Sequence, residues 1–406
     1  MQILHKALKD ALGKIPEQLF EQMLSQKLKA YGVKLSRSEY CQLQNYILSG
    51  ESKTLHLRRW RWWERENVVV EFTEEEAQEI EQRFTEIVGH LPQLIEELTR
   101  DSAIDILATL KRGWQGELRR QKRENAGFKR RLSRRWGEPL ALLRMLLTIA
   151  QEYGASVNQE LRESSAPSPY LVEALTRLHA RACQIVHEIL VLLATGLADG
   201  AMARWRTLHE IAVIALFIGA HGEDLAERYV LHQHVESRRA ARDYIACQER
   251  LGYEPLDPSE IEAVEQLYAT LLERFGHSFG TPYGWAAEQL GIKKPAFERI
   301  ERAAGIDHLR AHYRLASHNV HANPKGVFFK LGLLNELDRL LAGPSNAGLA
   351  DPGHSAAISL VQTSTPLGLL HPTFDNIVVL RIMVLLEREI GQAFGDAHQQ
   401  LVHDSA

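Results

Sequence analysis

The chain has 406 residues, of which 45% are hydrophobic and 25% charged, and its formal net charge is −4. A chain of this length and ordinary composition excludes global disorder and predicts two or three domains with ample cores. Its slight acidity provides no overall attraction to nucleic acid or anionic surfaces, so any such attraction has to be local.

The N-terminal run MQILHKALKDALGKIPEQLF mixes charges with apolar residues and lacks the uninterrupted apolar core of a signal peptide. Leu4, Leu8, Leu12, Leu19, Phe20, Met23 and Leu24 recur with helical spacing, and Ser36 three residues before Glu39 reads as a capping-box helix start. Residues 55–72, LHLRRWRWWERENVVVEF, are the only stretch with strand chemistry and predict a short β-hairpin or extended arm. Thr73 followed by Glu74, Glu75 and Glu76 predicts a helix start, because acidic groups suit the positive end of the helix dipole. The helical pattern runs on to about residue 160. The two prolines and three serines of ELRESSAPSPY, residues 160–170, predict a linker or exposed loop.

A second helical block is expected from residue 171 to about 245. Its most apolar run, residues 211–220, is too short to span a bilayer and reads as a buried core helix. Residues 342–373 are rich in Gly, Pro and Ser and read as loop-heavy, and residues 374–394 as an apolar helix docked in a core. The expected fold is therefore all-α, a multi-helix bundle with a short β-hairpin or extended arm near residues 55–72. Three regions are expected: 1–110 with the arm, a basic helical connector at 111–165, and a helical-bundle core at 166–406. Cys41, Cys183 and Cys247 lie far apart with no CxxC pair, as expected of reduced thiols in the cytoplasm. No membrane association is expected.

The chain has no GxGxxG after a strand, no Walker-type loop, no HExxH, no GxSxG and no EF-hand loop. Nucleotide-dependent, hydride-transfer and esterase chemistry accordingly start low, and no cofactor is expected. The densest chemistry lies at YRLASHNVHANP, residues 313–324. Pro324 disfavours helix at Asn323, which predicts a helix ending near Ala322. On that helix Arg314, Ser317, His318 and His321 fall at i, i+3, i+4 and i+7 and share one face. His321 would stand at the helix C-terminus, where the dipole favours an imidazolium, and imidazole exchanges protons efficiently near neutral pH. Arg314 suits a phosphate or a developing negative charge. The bland alternative is that the two histidines are simply satisfied by hydrogen bonds. No carboxylate pattern accompanies them, so no metal set is expected.

Two further groups stand out. Arg206 and Glu210 are spaced to pair at i, i+4, and Tyr229, His232 and Glu236 follow at i, i+3 and i+7. They form either a structural ion-pair network between packed helices or the lining of the same cleft as His321. The stretch 111–135 carries Arg119, Arg120, Lys122, Arg123, Arg130 and Arg131 among Trp114, Phe128 and, just beyond, Trp136; residues 58–63 add Arg58, Arg59, Arg61, Trp60, Trp62 and Trp63. Basic residues interleaved with aromatics suit a nucleic-acid backbone and stacked bases, the alternative being a solvated helix face.

Residues 198–210, the run Ala226-Glu227-Arg228-Tyr229 with His232, and residues 313–323 together resemble a bacterial family of unknown function, the domain-of-unknown-function family numbered 5677, over about residues 170–340. Arg314, six residues and then His321 also resembles the short motif of the HEPN superfamily of helical-bundle proteins, many of which cut RNA without a metal. Arg181 and His187 fit a similar spacing on another helix. The HEPN resemblance implies that His321 acts on the ribose 2′-hydroxyl, Arg314 stabilises the phosphate and Asn319 is a polar helper. Ser317, His318 and Asn319 are expected to orient them. Arg206, Glu210, Tyr229, His232 and Tyr313 would support the site. The expected function is a metal-independent endoribonuclease, a toxin or anti-phage effector, acting on RNA as a homodimer. The alternative is a non-catalytic interaction or sensor subunit of a bacterial defence complex.

Overall fold

In the computed structural model, residues 13–33, 54–61, 64–71, 73–163, 168–334 and 340–405 are described. They fall in two compact units, residues 1–120 and 121–406. The fold is all-α apart from one antiparallel hairpin.

In the first unit, helix α1 (Ile15–Ala30) starts with a proline in its first turn and buries Leu24 and Leu28. The start expected at Ser36 and the periodic positions Leu4, Leu8 and Leu12 lie outside the described residues, as do Trp62 and Trp63. The hairpin expected near residues 55–72 is formed by β1 (Thr54–Arg61) and β2 (Glu64–Glu71), paired from Thr54 opposite Glu71 to Arg61 opposite Glu64. Helix α2 (Glu74–Glu163) begins where expected. Thr73 and Glu76 form a reciprocal capping box: the Thr73 N–H donates to Glu76 Oε2 at 3.0 Å, and the Glu76 N–H donates to Thr73 Oγ1 at 3.4 Å.

The second unit contains residues 121–163 of α2 followed by α3 (Pro169–Ala194), α4 (Ala198–His221), α5 (Glu223–Leu231), α6 (Gln233–Leu251), α7 (Pro258–Phe275), the single turn α8 (Ala287–Leu290), α9 (Phe297–Ala303), α10 (Arg310–Val320), α11 (Pro324–Phe328), α12 (Ala350–Gly368) and α13 (Phe374–Ser405). Residues 160–163 remain helical, so the expected linker is shorter than its composition suggested. The apolar run of α4 is buried as expected, with Ile211, Ala212, Val213, Ala215, Phe217 and Ile218 in the core. The chain breaks its helix at His232, so Tyr229 lies on α5 and Glu236 on α6.

The expectation of a loop-heavy stretch over residues 342–373 is corrected: residues 350–368 form the buried helix α12. Its small residues are packing residues, not turn residues. A Cβ on Gly353 would lie 2.2 Å from the Phe394 ring, and one on Gly219 of α4 would lie 2.6 Å from Pro366. Loss of side chains at those points lets α12 pack against α3, α4 and α13. The polar groups this buries are bonded: Trp205 Nε1 donates to Ser359 Oγ at 3.0 Å, and His179 Nε2 lies 3.1 Å from Ser364 Oγ. Glu223, the first residue of α5, accepts the N–H groups of Tyr170 and Leu171 at 3.0 and 2.8 Å and so caps the first turn of α3. Cys183 is buried, and burial pushes its thiol up to about 12, which leaves it unreactive.

Candidate functional site

Helix α10 packs against α4, and the contact is polar. Arg206 of α4 reaches across to α10, donating through Nε to Ser317 Oγ at 3.1 Å and through Nη2 to Tyr313 Oη at 2.8 Å. It also pairs with Glu210, one turn along, at 3.1 Å, as the i, i+4 spacing predicts. The Tyr313 hydroxyl donates in turn to Glu210 Oε1 at 2.6 Å, and Ser317 Oγ donates to the Tyr313 carbonyl at 2.8 Å. Burial and the adjacent Glu210 carboxylate push the Tyr313 phenol well above its usual value, so it remains a donor. Ser317 and Tyr313 are thus occupied in fastening α10 to α4.

Beneath them lies a buried network in which His209 Nε2 meets Glu301 Oε1 at 2.8 Å. Arg310 Nη1 donates to Glu301 Oε2 at 2.7 Å, and both His209 and Glu301 are fully buried. Burial lowers the His209 pKa although Glu301 opposes it, so a neutral imidazole donates to a carboxylate whose charge Arg310 balances. Of this network only His209 stands in a run that the sequence marks out, residues 204–210; Glu301 and Arg310 carry no local sequence signal, since their helices are brought together only by the fold.

The outward side and the C-terminus of α10 are different. Arg314 is exposed. The helix stops at Val320, one to two residues earlier than Pro324 alone predicts, and His321 is its C-cap in extended conformation (φ −106°, ψ 143°), exposed. His321 therefore leaves the helical face that it was expected to share with Arg314, Ser317 and His318. The early stop has a visible cause: Asn323 caps α11 through the Gly326 N–H at 2.9 Å, and Gly326 packs on the end of α10, where a Cβ would lie 1.9 Å from the His318 carbonyl oxygen. Asn323 Nδ2 also donates to His318 Nδ1 at 2.8 Å, which fixes that ring and leaves Nδ1 as its acceptor. Asn319 is half-buried. Neither Arg314 nor His321 has a side-chain hydrogen bond or ion pair with the described residues.

Tyr229 and His232 lie elsewhere, in a cleft of about 880 Å³ lined by α3, the α5–α6 elbow and residues 282–285. Ile211, Glu173, Arg177, Arg181, Glu236, Arg239 and Tyr283 complete most of its wall, whereas Arg314 and His321 do not line it. His232 is buried, its Nε2 lies 3.1 Å from the Thr281 carbonyl, and burial lowers its pKa. Tyr283 is a non-glycine residue with left-handed backbone (φ 55°). Such strain costs about 1–3 kcal/mol and persists only where the surroundings impose it. They do so here: Gly284 sits so tightly that a Cβ would lie 2.3 Å from the Phe279 carbonyl oxygen. Nothing in the local sequence announced Tyr283.

The basic residues Arg119, Arg120, Lys122, Arg123, Arg130 and Arg131 are all exposed on α2. Arg120 is held bidentately by Glu117, at 2.9 and 2.6 Å. The expected interleaving with aromatics is corrected at two positions. Trp136 is fully buried with its indole N–H on the Asn346 carbonyl at 3.1 Å, and Phe128 packs on the core; Trp114 alone of the three is exposed. Among the described residues no three His, Cys, Asp or Glu side chains gather as a metal ion would need, and no helix is long and apolar enough to cross a membrane.

Fold and site together define a helical bundle with a polar helix–helix clamp, an exposed Arg314 on one of the clamped helices and an exposed His321 at its C-cap. Residues 172–336 match the model of a family of unknown function, DUF5677. That is the region in which the sequence resemblance lay, and it contains the clamp, the cleft, Arg314 and His321. No curated protein and no solved structure matches the chain.

Proposed function

We propose that the chain is a metal-independent endoribonuclease of the HEPN-like kind, with Arg314 and His321 as its catalytic residues. One observation carries this reading. Arg310, Tyr313 and Ser317 of α10 are bonded inward, while Arg314, in the middle of the same helix, and His321, at its C-cap, are exposed with no protein partner among the described residues. A guanidinium and an imidazole that the fold does not employ are the two groups that RNA transesterification requires. The His321 imidazole takes the proton of a ribose 2′-hydroxyl, and that oxygen attacks the adjacent phosphorus. The bond from phosphorus to the 5′-oxygen of the next nucleotide breaks, giving a 2′,3′-cyclic phosphate. The departing oxygen takes a proton from water or from the imidazolium of a second copy of the site. Arg314 faces the charge that accumulates on the non-bridging oxygens. The Arg206–Glu210–Tyr313 clamp and the His318–Asn323 bond position the helix end, and Asn319 is a polar helper.

The exposed guanidinium and ammonium groups of residues 119–131 would meet the RNA backbone. A homodimer, a cytoplasmic setting and a role as toxin or anti-phage effector belong to the same reading. The test is cleavage of a generic single-stranded RNA in EDTA by the wild type, Arg314→Ala and His321→Ala. A loss of at least about a hundredfold in each variant is expected, on the scale of general acid–base and charge-stabilising groups. Equal activity in mutant and wild type removes the reading.

A second reading, a non-catalytic interaction subunit of a defence complex, has one observation in its favour. Val320, Val327 and Phe328 flank His321 and are 46%, 61% and 83% exposed. It predicts no cleavage at all.

A further inference from the structure

The cleft between α3, the α5–α6 elbow and residues 282–285 plays no part in the reaction assigned to Arg314 and His321. Its volume, about 880 Å³, is that of a small-molecule site. Its wall divides into two kinds of surface. Ile211, Leu178, Val230 and Pro282, with the rings of Tyr229 and Trp285, are apolar, and the two rings meet edge to face at 5.1 Å and 78°. Against them stand polar groups that are predominantly donors. Arg177 and Arg181 project from successive turns of α3. Arg177 pairs with Glu173, whereas Arg181 donates to the neutral Gln184 at 2.6 Å and has its nearest carboxylate, Glu188, at 3.9 Å. Glu188 is already held by Arg204 at 2.5 Å, so Arg181 keeps most of its charge. The phenols of Tyr229 and Tyr283 have no hydrogen-bond partner among the described residues, and burial pushes both pKa values up, which keeps them protonated donors. The remaining charges are internally matched: Arg239 is held by Glu236 at 2.7 Å and by the Gly280 carbonyl at 2.8 Å.

A wholly apolar ligand would leave the two phenols unbonded and the Arg181 charge without a close carboxylate, and a bare inorganic anion would leave the apolar surface wet. We propose that the cleft binds a small anion carrying a flat aromatic group, in class a nucleoside monophosphate, with Arg181 on the phosphate and the Tyr229 and Tyr283 hydroxyls on ribose or base acceptors. The rings of Tyr229 and Tyr283 give the base a flat surface, since every base has a face that stacks on an aromatic side chain. Tyr283, the residue with left-handed backbone, is itself part of the cleft wall.

The test is calorimetric titration of the full chain with AMP, GMP, CMP and UMP, and with adenosine and ribose 5-phosphate as the two halves of the ligand. At least one monophosphate should saturate a single site per chain, and each half should bind at least about tenfold more weakly. Arg181→Ala should weaken binding at least about tenfold and Tyr283→Phe a few-fold, with Arg181→Lys recovering part of the loss. Arg181 is 47% exposed, so its removal leaves the fold intact, and an unchanged melting temperature verifies this. The Arg314→Ala/His321→Ala double variant should bind as the wild type does, which separates this site from the nuclease reading. The proposal is overturned if no monophosphate saturates the protein by about 1 mM, if adenosine binds as well as its monophosphate, or if Arg181→Ala and Tyr283→Phe both leave binding unchanged.

Discussion

The inward and outward sides of α10 carry polar groups under opposite conditions. At the start of the helix, Arg310 joins the fully buried Glu301 and His209 in one network, and one turn on Tyr313 is locked to Arg206 and Glu210. Arg314, on the exposed side of the same helix, and His321, at its C-cap, have no side-chain partner among the described residues. The first set is explained by packing: the buried Glu301 carboxylate is bonded by both His209 and Arg310, because an unpaired buried charge is costly. The second set has no such explanation. A residue that the fold does not require is available for chemistry, and stability measurements can tell the two kinds apart before any substrate is known.

The largest effect should come from Glu301→Ala. Glu301 is fully buried and bridges His209 to Arg310, so its removal strands a buried imidazole and deprives a guanidinium of its nearest carboxylate. A loss of about 3–5 kcal/mol is expected on the scale of broken buried pairs. Urea unfolding followed by circular dichroism would measure it. A loss below about 1 kcal/mol, the scale of exposed pairs, would mean that the network is not structural and would erase the contrast.

The next effect is on pH dependence. His179 is buried between α3 and α12, where its ring fills the space that a side chain on Gly154 would need, and burial lowers its pKa to about 4. A histidine with a depressed folded pKa takes up its proton more readily when unfolded, so stability is present above the unfolded value and falls as pH drops from about 6.5 toward 4. Its contribution to the loss between pH 7 and pH 5 is on the order of 2 kcal/mol. His179→Gln keeps a neutral hydrogen-bonding group beside Ser364 and should flatten the stability–pH curve by that amount. An unflattened curve would show that this site opens to water before it titrates.

How much of this was legible beforehand depends on the range of the interaction. The all-α class, the hairpin and the helix start at Glu74 follow from local chemistry, and Arg206–Glu210 is a spacing within one helix, so periodicity found them. Helix α12 was misread because glycine, serine and proline have two uses. Composition suggests turns, but here the small side chains let helices approach, as Gly353 does against Phe394. His321 was placed on a helical face that the chain leaves two residues before Asn323, because Asn323 and Gly326 start a new turn there. Glu301, Arg310 and Tyr283 were not visible, since their partners lie on other helices and only the tertiary fold joins them.

A smaller effect is expected at the clamp. Tyr313→Phe removes the hydroxyl that donates to Glu210 and accepts from Arg206, and those two can still pair at 3.1 Å. The expected destabilisation is about 1.5 kcal/mol, the value of one hydrogen bond to a charged group. If α10 is held in place by this clamp, RNA cleavage should fall with it even though Tyr313 touches no substrate in the proposed chemistry. A full-activity Tyr313→Phe protein would restrict the clamp to a structural role.

The smallest effect on stability should be at Arg314 and His321, and it is the most informative. Both side chains are exposed and have no partner among the described residues, so Arg314→Ala and His321→Ala should each change the unfolding free energy by no more than about 0.5 kcal/mol. Helix propensity, slightly better for alanine than arginine, could even make the Arg314 change mildly favourable. The same two substitutions should abolish cleavage. Loss of function without loss of stability is the signature of groups retained for chemistry. A loss of more than about 2 kcal/mol at either position, well outside the range of surface changes, would reveal a structural partner for it and return the pair to the same class as His209 and Glu301.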